Sequence, residues 1–373
     1  MLTKLAYTLL ALSSIAAAQP LGVPHVHHQH QKREAAVAVD TVVVTVTQNA
    51  NPTTLQTVMT SATTSSTAST EAEAATSSSA TTSSSVAASS SASSSASSDS
   101  SSNDTSSYED GTVEYYAGEG KGITYSPYSD SGSCKSESDI QSDIQKLTDF
   151  DIIRVYAPDC SCVSAIMGAM GSNQKIFAGL YYMDSLSSDI STLATQVKAS
   201  SQGWDGIYAV AVGNEWVNSG TYSASEVASA VSSGRSLLQD QGYSGKVVTV
   251  DTIPAYENNN ELCEASDFIA ANSHAYWDGN VEAANSGTWL EQQIADVKSA
   301  CGGSKSVLIT ETGWPTKGDT YGSNGVPSTA NQLACIKSIA EAVPDQVIFF
   351  TAYNDLWKQP GSQNCEQYWG IFN

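Results

Sequence analysis

The sequence predicts an α/β protein, a (β/α)8 TIM barrel preceded by a disordered Ser/Thr-rich stalk. Three observations carry the prediction. Eight apolar runs of strand length alternate with segments of period near 3.6 from about Gly118 to the last residue, Asn373. That span has the usual size of eight strand–helix units closed into a barrel. Before it the composition is different: from Pro52 to Ser107, 35 of 56 residues are Ser or Thr and none is aromatic, too little apolar area to offset the entropy of ordering the chain. The alternative is a doubly wound open sheet, which would usually carry a glycine-rich phosphate loop after its first strand. Gly118-Glu119-Gly120-Lys121-Gly122 precedes the first strand instead, so a nucleotide site fails on position.

In chain order, residues 1–18 read as a signal peptide: Lys4, the apolar stretch Leu5 to Leu12, and the small residues Ala16-Ala17-Ala18 before Gln19. Residues 19–33 read as a propeptide ending at the dibasic pair Lys32-Arg33. It would take away His25, His27, His28 and His30, leaving His274 alone, so no metal site is expected. Residues 34–117 form the linker. Its hydroxyls suit O-linked sugar, Asn103-Asp104-Thr105 is an N-glycosylation sequon, and Val42 to Thr47 is a short β-prone segment without a partner of its own.

Residues 118–373 form the barrel. The strands are expected at Gly122 to Tyr128, Ile152 to Pro158, Lys175 to Met183, Ile207 to Glu215, Val247 to Thr252, Phe268 to Trp277, Ser306 to Trp314 and Gln346 to Asp355. Between them, Ile140, Ile144 and Leu147 share a helix face behind a cap at Ser138. Val227, Ala230, Val231, Leu237 and Leu238 follow the Ser223 to Glu226 capping box, and Leu333, Ile336, Ile339 and Val343 precede the stop at Pro344. Strands alternating with helices imply right-handed parallel crossovers.

With 16 basic and 38 acidic residues the formal net charge is -22. A nucleic-acid surface needs a basic patch, and anionic lipid needs the same, so neither is expected as a partner. No apolar run after the leader is long enough to span a bilayer. All seven cysteines fall in the barrel region. In an oxidising compartment they are expected to pair in a connectivity the sequence does not fix, with at least one left over.

In a barrel of this kind the working residues come from the C-terminal ends of the strands. Two such ends place a glutamate beyond an apolar run and near a tryptophan: Ala211-Val212-Gly213-Asn214-Glu215-Trp216 and Leu308-Ile309-Thr310-Glu311-Thr312-Gly313-Trp314-Pro315. A carboxylate there is costly unless it has a partner or a task. Glycoside cleavage needs two, one to protonate the departing oxygen and one to attack the anomeric carbon or activate water. Arg154, a charge within the second strand, is expected to pair with a carboxylate, either Glu311 or one elsewhere in the barrel. Tyr125, Tyr128, Tyr156, Trp277 and Trp314 are candidates to line a sugar groove with flat rings, about half of them being ordinary core.

Gly122-Ile123-Thr124-Tyr125-Ser126-Pro127-Tyr128, Ile153-Arg154-Val155-Tyr156, Val212-Gly213-Asn214-Glu215 and Thr310-Glu311-Thr312-Gly313-Trp314-Pro315 resemble glycoside hydrolase family 17, the β-1,3-glucanases. The order of leader, dibasic cut, stalk and barrel resembles its fungal cell-wall glucosidase and surface mannoprotein branch. The resemblance implies a retaining mechanism with Glu215 as acid/base and Glu311 as nucleophile. Asn214 would bond the sugar hydroxyl beside the reacting carbon, and Tyr276 would hold Glu311. Asn354 and Lys358 follow the last strand at the groove edge. Where many relatives have a glutamate and an acidic residue, this chain has Thr351 and Asn354, which puts the groove's polar contacts in question. No cofactor is implied. The partner implied is β-glucan of the cell wall, hydrolysed or passed to another chain, with attachment to the wall non-covalent or by disulfide. A surface mannoprotein that binds glucan in adhesion without catalysis is the competing class.

Overall fold

In the computed structural model, residue 108 and residues 111–373 are described. The expected signal peptide, propeptide, most of the stalk and Asn103 lie outside the described residues. Eight parallel strands close into a single barrel in chain order: β1 (Gly122–Thr124), β2 (Ile152–Val155), β3 (Lys175–Leu180), β4 (Ile207–Asn214), β5 (Lys246–Thr252), β6 (Ile269–Asn272), β7 (Val307–Thr312) and β8 (Val347–Phe349). β8 returns to β1 through Gly122↔Ile348 and Ile123↔Phe349, which leaves no edge. The helices are α1 (Val113–Gly118), α2 (Glu137–Ile144), α3 (Cys162–Met167), α4 (Leu186–Ala199), α5 (Ala224–Asp240), α6 (Ile253–Asn258), α7 (Asn260–Ala265), α8 (Ser286–Ala300) and α9 (Thr329–Ala342). This is the (β/α)8 barrel the alternation predicts.

All eight strands fall inside or within a residue of their expected ranges, and most end earlier. Gln346 to Asp355 is expected as one strand, yet β8 stops at Phe349 because the chain from Phe350 to Asp355 turns over the barrel mouth, where Phe350, Thr351, Ala352 and Asp355 are buried and Thr351 and Ala352 bond Trp369, Ile371 and Phe372. Two helix boundaries also differ. The cap of α2 is Ser136, whose hydroxyl accepts the Asp139 N–H at 3.2 Å, rather than Ser138. Residues Val113 to Ala117, expected as linker, form most of α1, which packs on α9 with Lys337 over the Tyr116 ring. The capping box of α5 is present, Ser223 and Glu226 each accepting the other's backbone N–H.

The period of two in the strands divides the core in two. Ile152, Phe177, Ala209, Ala211, Val248, Val250, Ala270, Leu308 and Ile348 point inward and fill the lumen. The alternate residues, such as Ile153, Val155, Ile176, Val210 and Ile309, face the helices and join the larger outer core. One layer above the lumen core, at the same inward parity, come Arg154 after Ile152, Asn272 after Ala270 and Thr310 after Leu308. Polar groups therefore cap the apolar interior at the C-terminal mouth, and the register shifts there between Ala211 and Asn214, Ala271 and Asn272, and Ile309 and Thr312. Such irregularities bend a strand and re-aim its last side chains.

Two disulfides form, Cys134–Cys160 and Cys263–Cys301. Cys162, Cys335 and Cys365 are buried thiols on separate elements, so pairing is less complete than an oxidising compartment leads one to expect.

Candidate active site

Glu215 follows β4 in a backbone shape that few residues adopt. Gly213 has φ +88, where a Cβ would come within 2.5 Å of the Trp216 ring, and Glu215 itself has φ +53. The left-handed turn swings the carboxyl into the mouth while its N–H still bonds the Val250 carbonyl at 2.9 Å. Glu215 Oε1 accepts from Asn272 Nδ2 at 2.8 Å and Oε2 from Asn218 Nδ2 at 3.1 Å. Burial, then the charge of Glu311, push the Glu215 carboxyl up to about 8, with Asn272 opposing, Asp251 adding and Asn218 opposing.

Glu311 is almost wholly buried at the end of β7. Its Oε1 accepts from Arg154 Nη1 at 2.9 Å and from the Tyr156 hydroxyl at 2.8 Å, while His274 Nε2 lies 3.5 Å from Oε2. Arg154 Nη1 also reaches the Thr310 carbonyl at 2.7 Å and Asn272 Oδ1 at 3.2 Å, and its Nη2 reaches Asn214 Oδ1 at 2.7 Å. The two glutamates, 96 residues apart in sequence, thus share one buried network through Asn272 and Arg154. Their surroundings differ: Glu215 meets only neutral amides, whereas donors that include a guanidinium surround Glu311 and stabilise a negative charge there.

A cavity of about 460 Å³ opens beside this network. Tyr128, Tyr156, Tyr181, Tyr182, Trp216, Tyr222 and Trp357 supply ring surface, and Asn214, Glu215, Asp159, Asp355 and Lys358 supply polar groups. Rings beside a few polar groups suit a pyranose, with C–H faces on aromatic surface and hydroxyls on the polar atoms. Lys358 Nζ is 2.7 Å from Asp355 Oδ2, both buried. Burial pushes the Asp355 carboxyl up, but the Lys358 ammonium and hydrogen bonds from Lys358, Trp357 and Ser126 together leave the group below its usual range. The Tyr128 hydroxyl donates to Asp159, across the two loops that Cys134–Cys160 joins.

Of the residues singled out from sequence, Arg154, Tyr156, Asn214, Glu215, Glu311 and Lys358 meet at this mouth. Four do not. Tyr276 does not hold Glu311 through its hydroxyl, which donates to the Asp319 carbonyl at 2.7 Å, and its ring packs among Trp277, Trp314 and Trp369; the tyrosine on Glu311 is Tyr156. Tyr125 has the outward parity of Ile123, is fully buried, and donates to Asp143 at 2.9 Å. Trp314 is core, its indole N–H on the Val326 carbonyl. Asn354 ties down the chain end, its N–H donating to Asn373 Oδ1 and its side chain accepting from the Gly370 N–H. Thr351 is buried, donating to the Thr124 carbonyl.

Sequence reasoning missed Asn272, Asn218, His274 as a neighbour of Glu311, and Glu366, whose carboxyl burial pushes up to about 7, opposed by Lys358. Asn272 was within reach of it, since its parity follows from Ala270. Among the described residues no cluster of three His, Cys, Asp or Glu could hold a metal ion, and no helix is long and apolar enough to cross a membrane.

Residues 122–370 match the family model described as the BtgE/BtgC glycoside hydrolase domain. Over 69% of its length the chain is 52% identical to the cell surface mannoprotein MP65 of Candida albicans, of which it covers 68%. Over 68% it is 49% identical to the probable family 17 glucosidase SCW10 of Saccharomyces cerevisiae, covering 64% of that protein. Among solved structures the barrel resembles the glycoside hydrolase family 17 β-1,3-glucanosyltransferase of Rhizomucor miehei. The TM-score is 0.57 at 22% identity, over 68% of this chain and 93% of that one, a likeness of fold.

Proposed function

The chain belongs to the BtgE/BtgC glycoside hydrolase family, within the family 17 group of fungal cell-wall glucosidases, and from that premise we propose that it cleaves β-1,3-glucan with retention, using Glu215 as acid/base and Glu311 as nucleophile. The observation that carries this reading is the asymmetry of two carboxyls joined by one network. Glu215 stays protonated to about pH 8 and lines the cavity, where it meets the glycosidic oxygen. Glu311, oriented by Arg154 and Tyr156, attacks the anomeric carbon as Glu215 gives its proton to the departing sugar. The glucosyl–Glu311 ester is then opened by water or by a hydroxyl of a second glucan, whose proton returns to Glu215. Asn214 has its carbonyl oxygen engaged by Arg154 and Asn272, which leaves its amide N–H groups for the sugar hydroxyl next to the reaction centre.

Support for β-1,3-glucan as the substrate comes from the Rhizomucor protein of like fold, a β-1,3-glucanosyltransferase whose active-site mutant was solved with laminaritriose. The cell surface mannoprotein among its relatives supports a place at the fungal wall, with residues 1–18 as leader, 19–33 as propeptide and a sugared stalk from residue 34 to the start of α1 at Val113. Chromatography of products from a defined β-1,3-oligosaccharide tests the reading. The unaltered chain releases shorter products, or longer ones if transfer dominates, and both Glu311→Gln and Glu215→Gln lose that activity by several orders of magnitude. Undiminished turnover by Glu311→Gln ends the proposed role of Glu311, and no turnover by an unaltered chain that still binds the oligosaccharide leaves glucan binding without catalysis, as the name of the Candida relative would allow.

A further inference from the structure

Asp251 on β5 is fully buried and makes no salt bridge among the described residues. Like Val247 and Thr249 it sits at the outward parity, so it lies between the sheet and the loop that follows β4. A carboxylate in such a place is costly unless donors surround it. Its donors are all backbone N–H groups: Val217 at 2.9 Å to Oδ2, and Asn218 at 3.2 Å and Thr252 at 2.9 Å to Oδ1. Two of the three belong to the turn just after Glu215, and the side chain of Asn218 comes back from that turn to bond Glu215 Oε2 at 3.1 Å.

We propose that Asp251 is a positioning residue for Glu215: by gathering the N–H groups of Val217 and Asn218 it fixes the turn that holds Glu215 in its left-handed conformation and aims the Asn218 amide at the Glu215 carboxyl. A carboxylate suits this task better than a neutral amide, since each of its oxygens accepts, while an asparagine would set an NH2 group against one of the turn's own N–H groups. The proposal rests on Glu215 being the acid/base. The charged and titratable groups facing Glu215 are Glu311 from β7, Asp251 from β5 and Tyr181 beyond β3, with Arg154 of β2 one amide away; those facing Asp251 are Glu215 and Tyr256 of α6.

The test compares two substrates in the full chain. A β-1,3-oligosaccharide needs a proton on its leaving group, and a dinitrophenyl glycoside of laminaribiose does not. Asp251→Asn is expected to lower kcat/KM on the oligosaccharide roughly ten-fold or more, to lower it much less on the dinitrophenyl glycoside, and to change KM by less than about three-fold, because a displaced acid fails only where a proton is required. Asn218→Ala removes a donor that favours ionised Glu215, so it shifts the alkaline limb of the pH profile upward. Equal loss on both substrates, or no loss in a folded Asp251→Asn protein, overturns the proposal. Should Asp251→Asn not fold, Asn218→Ala decides: an unmoved alkaline limb overturns it, and a raised one sustains it. Glu215→Gln run alongside keeps the two readings apart, since full activity of that variant on the oligosaccharide removes the acid role itself.

Discussion

Burial and the nearby charge of Glu311 push the Glu215 carboxyl to about 8. In the proposed reaction the protonated form releases the leaving sugar, so kcat/KM is expected to hold through neutral pH and to fall as pH rises through about 8, a limb that initial rates on a β-1,3-oligosaccharide would locate. An alkaline limb near the ordinary carboxylate range, about 4 to 5, would mean that Glu215 is not the acid. The Tyr156 hydroxyl, 2.8 Å from Glu311, is a hydrogen bond to a charged group, about 1.5–3 kcal/mol. Tyr156→Phe should therefore cut kcat/KM by about ten-fold or more and lower the melting temperature by a few degrees, seen by comparing rates and melting curves. At this scale the sequence was readable where chemistry and parity agreed: two glutamates after apolar runs, and an arginine on the inward face of β2. It was unreadable where the chain bends. Tyr125 and Tyr156 look alike as residues that follow apolar strands, and only their opposite parity sends one toward the helices and the other onto Glu311. Tyr276 follows β6 in a tight turn whose direction no local pattern reveals.

At the scale of elements, the strands were legible because buried parallel strands are continuous apolar runs, and their ends were not, because the loops over the mouth are apolar too. The Ser223–Glu226 box was legible because it needs only two residues three apart, and the structure forms both of its bonds. Ser223→Ala should cost about 1 kcal/mol, seen as a melting temperature lower by a few degrees, with kcat unchanged because α5 touches the site only through its entry loop. Ser138, by contrast, was an equally good cap on paper. Ser136 is used because the chain arriving from Lys135, held at Asp143 by a 2.9 Å ion pair, starts α2 one residue after it.

For the whole molecule, closure of the sheet was foreseeable from eight units and their length, while the partners of the cysteines were not, since pairing depends on which loops meet above the barrel. The two bridges predict different losses. Cys263–Cys301 joins α7 to the residue that ends α8, closing 38 residues on the flank of the barrel. Replacing both cysteines by serine should lower stability by roughly 2–4 kcal/mol and leave KM unchanged, as denaturant melts and rates together would show. Cys134–Cys160 joins the loops after β1 and β2, which carry Tyr128 and Asp159 into the cavity wall. The same double replacement there should raise KM for the oligosaccharide as well as destabilise the protein.

That second bridge has a practical meaning. Material made in a reducing cytosol would have its barrel but a slack wall on one side of the sugar-holding trough, so it could pass as correctly made by circular dichroism and still grip glucan poorly. A preparation's affinity would then report the redox history of the sample as much as its sequence.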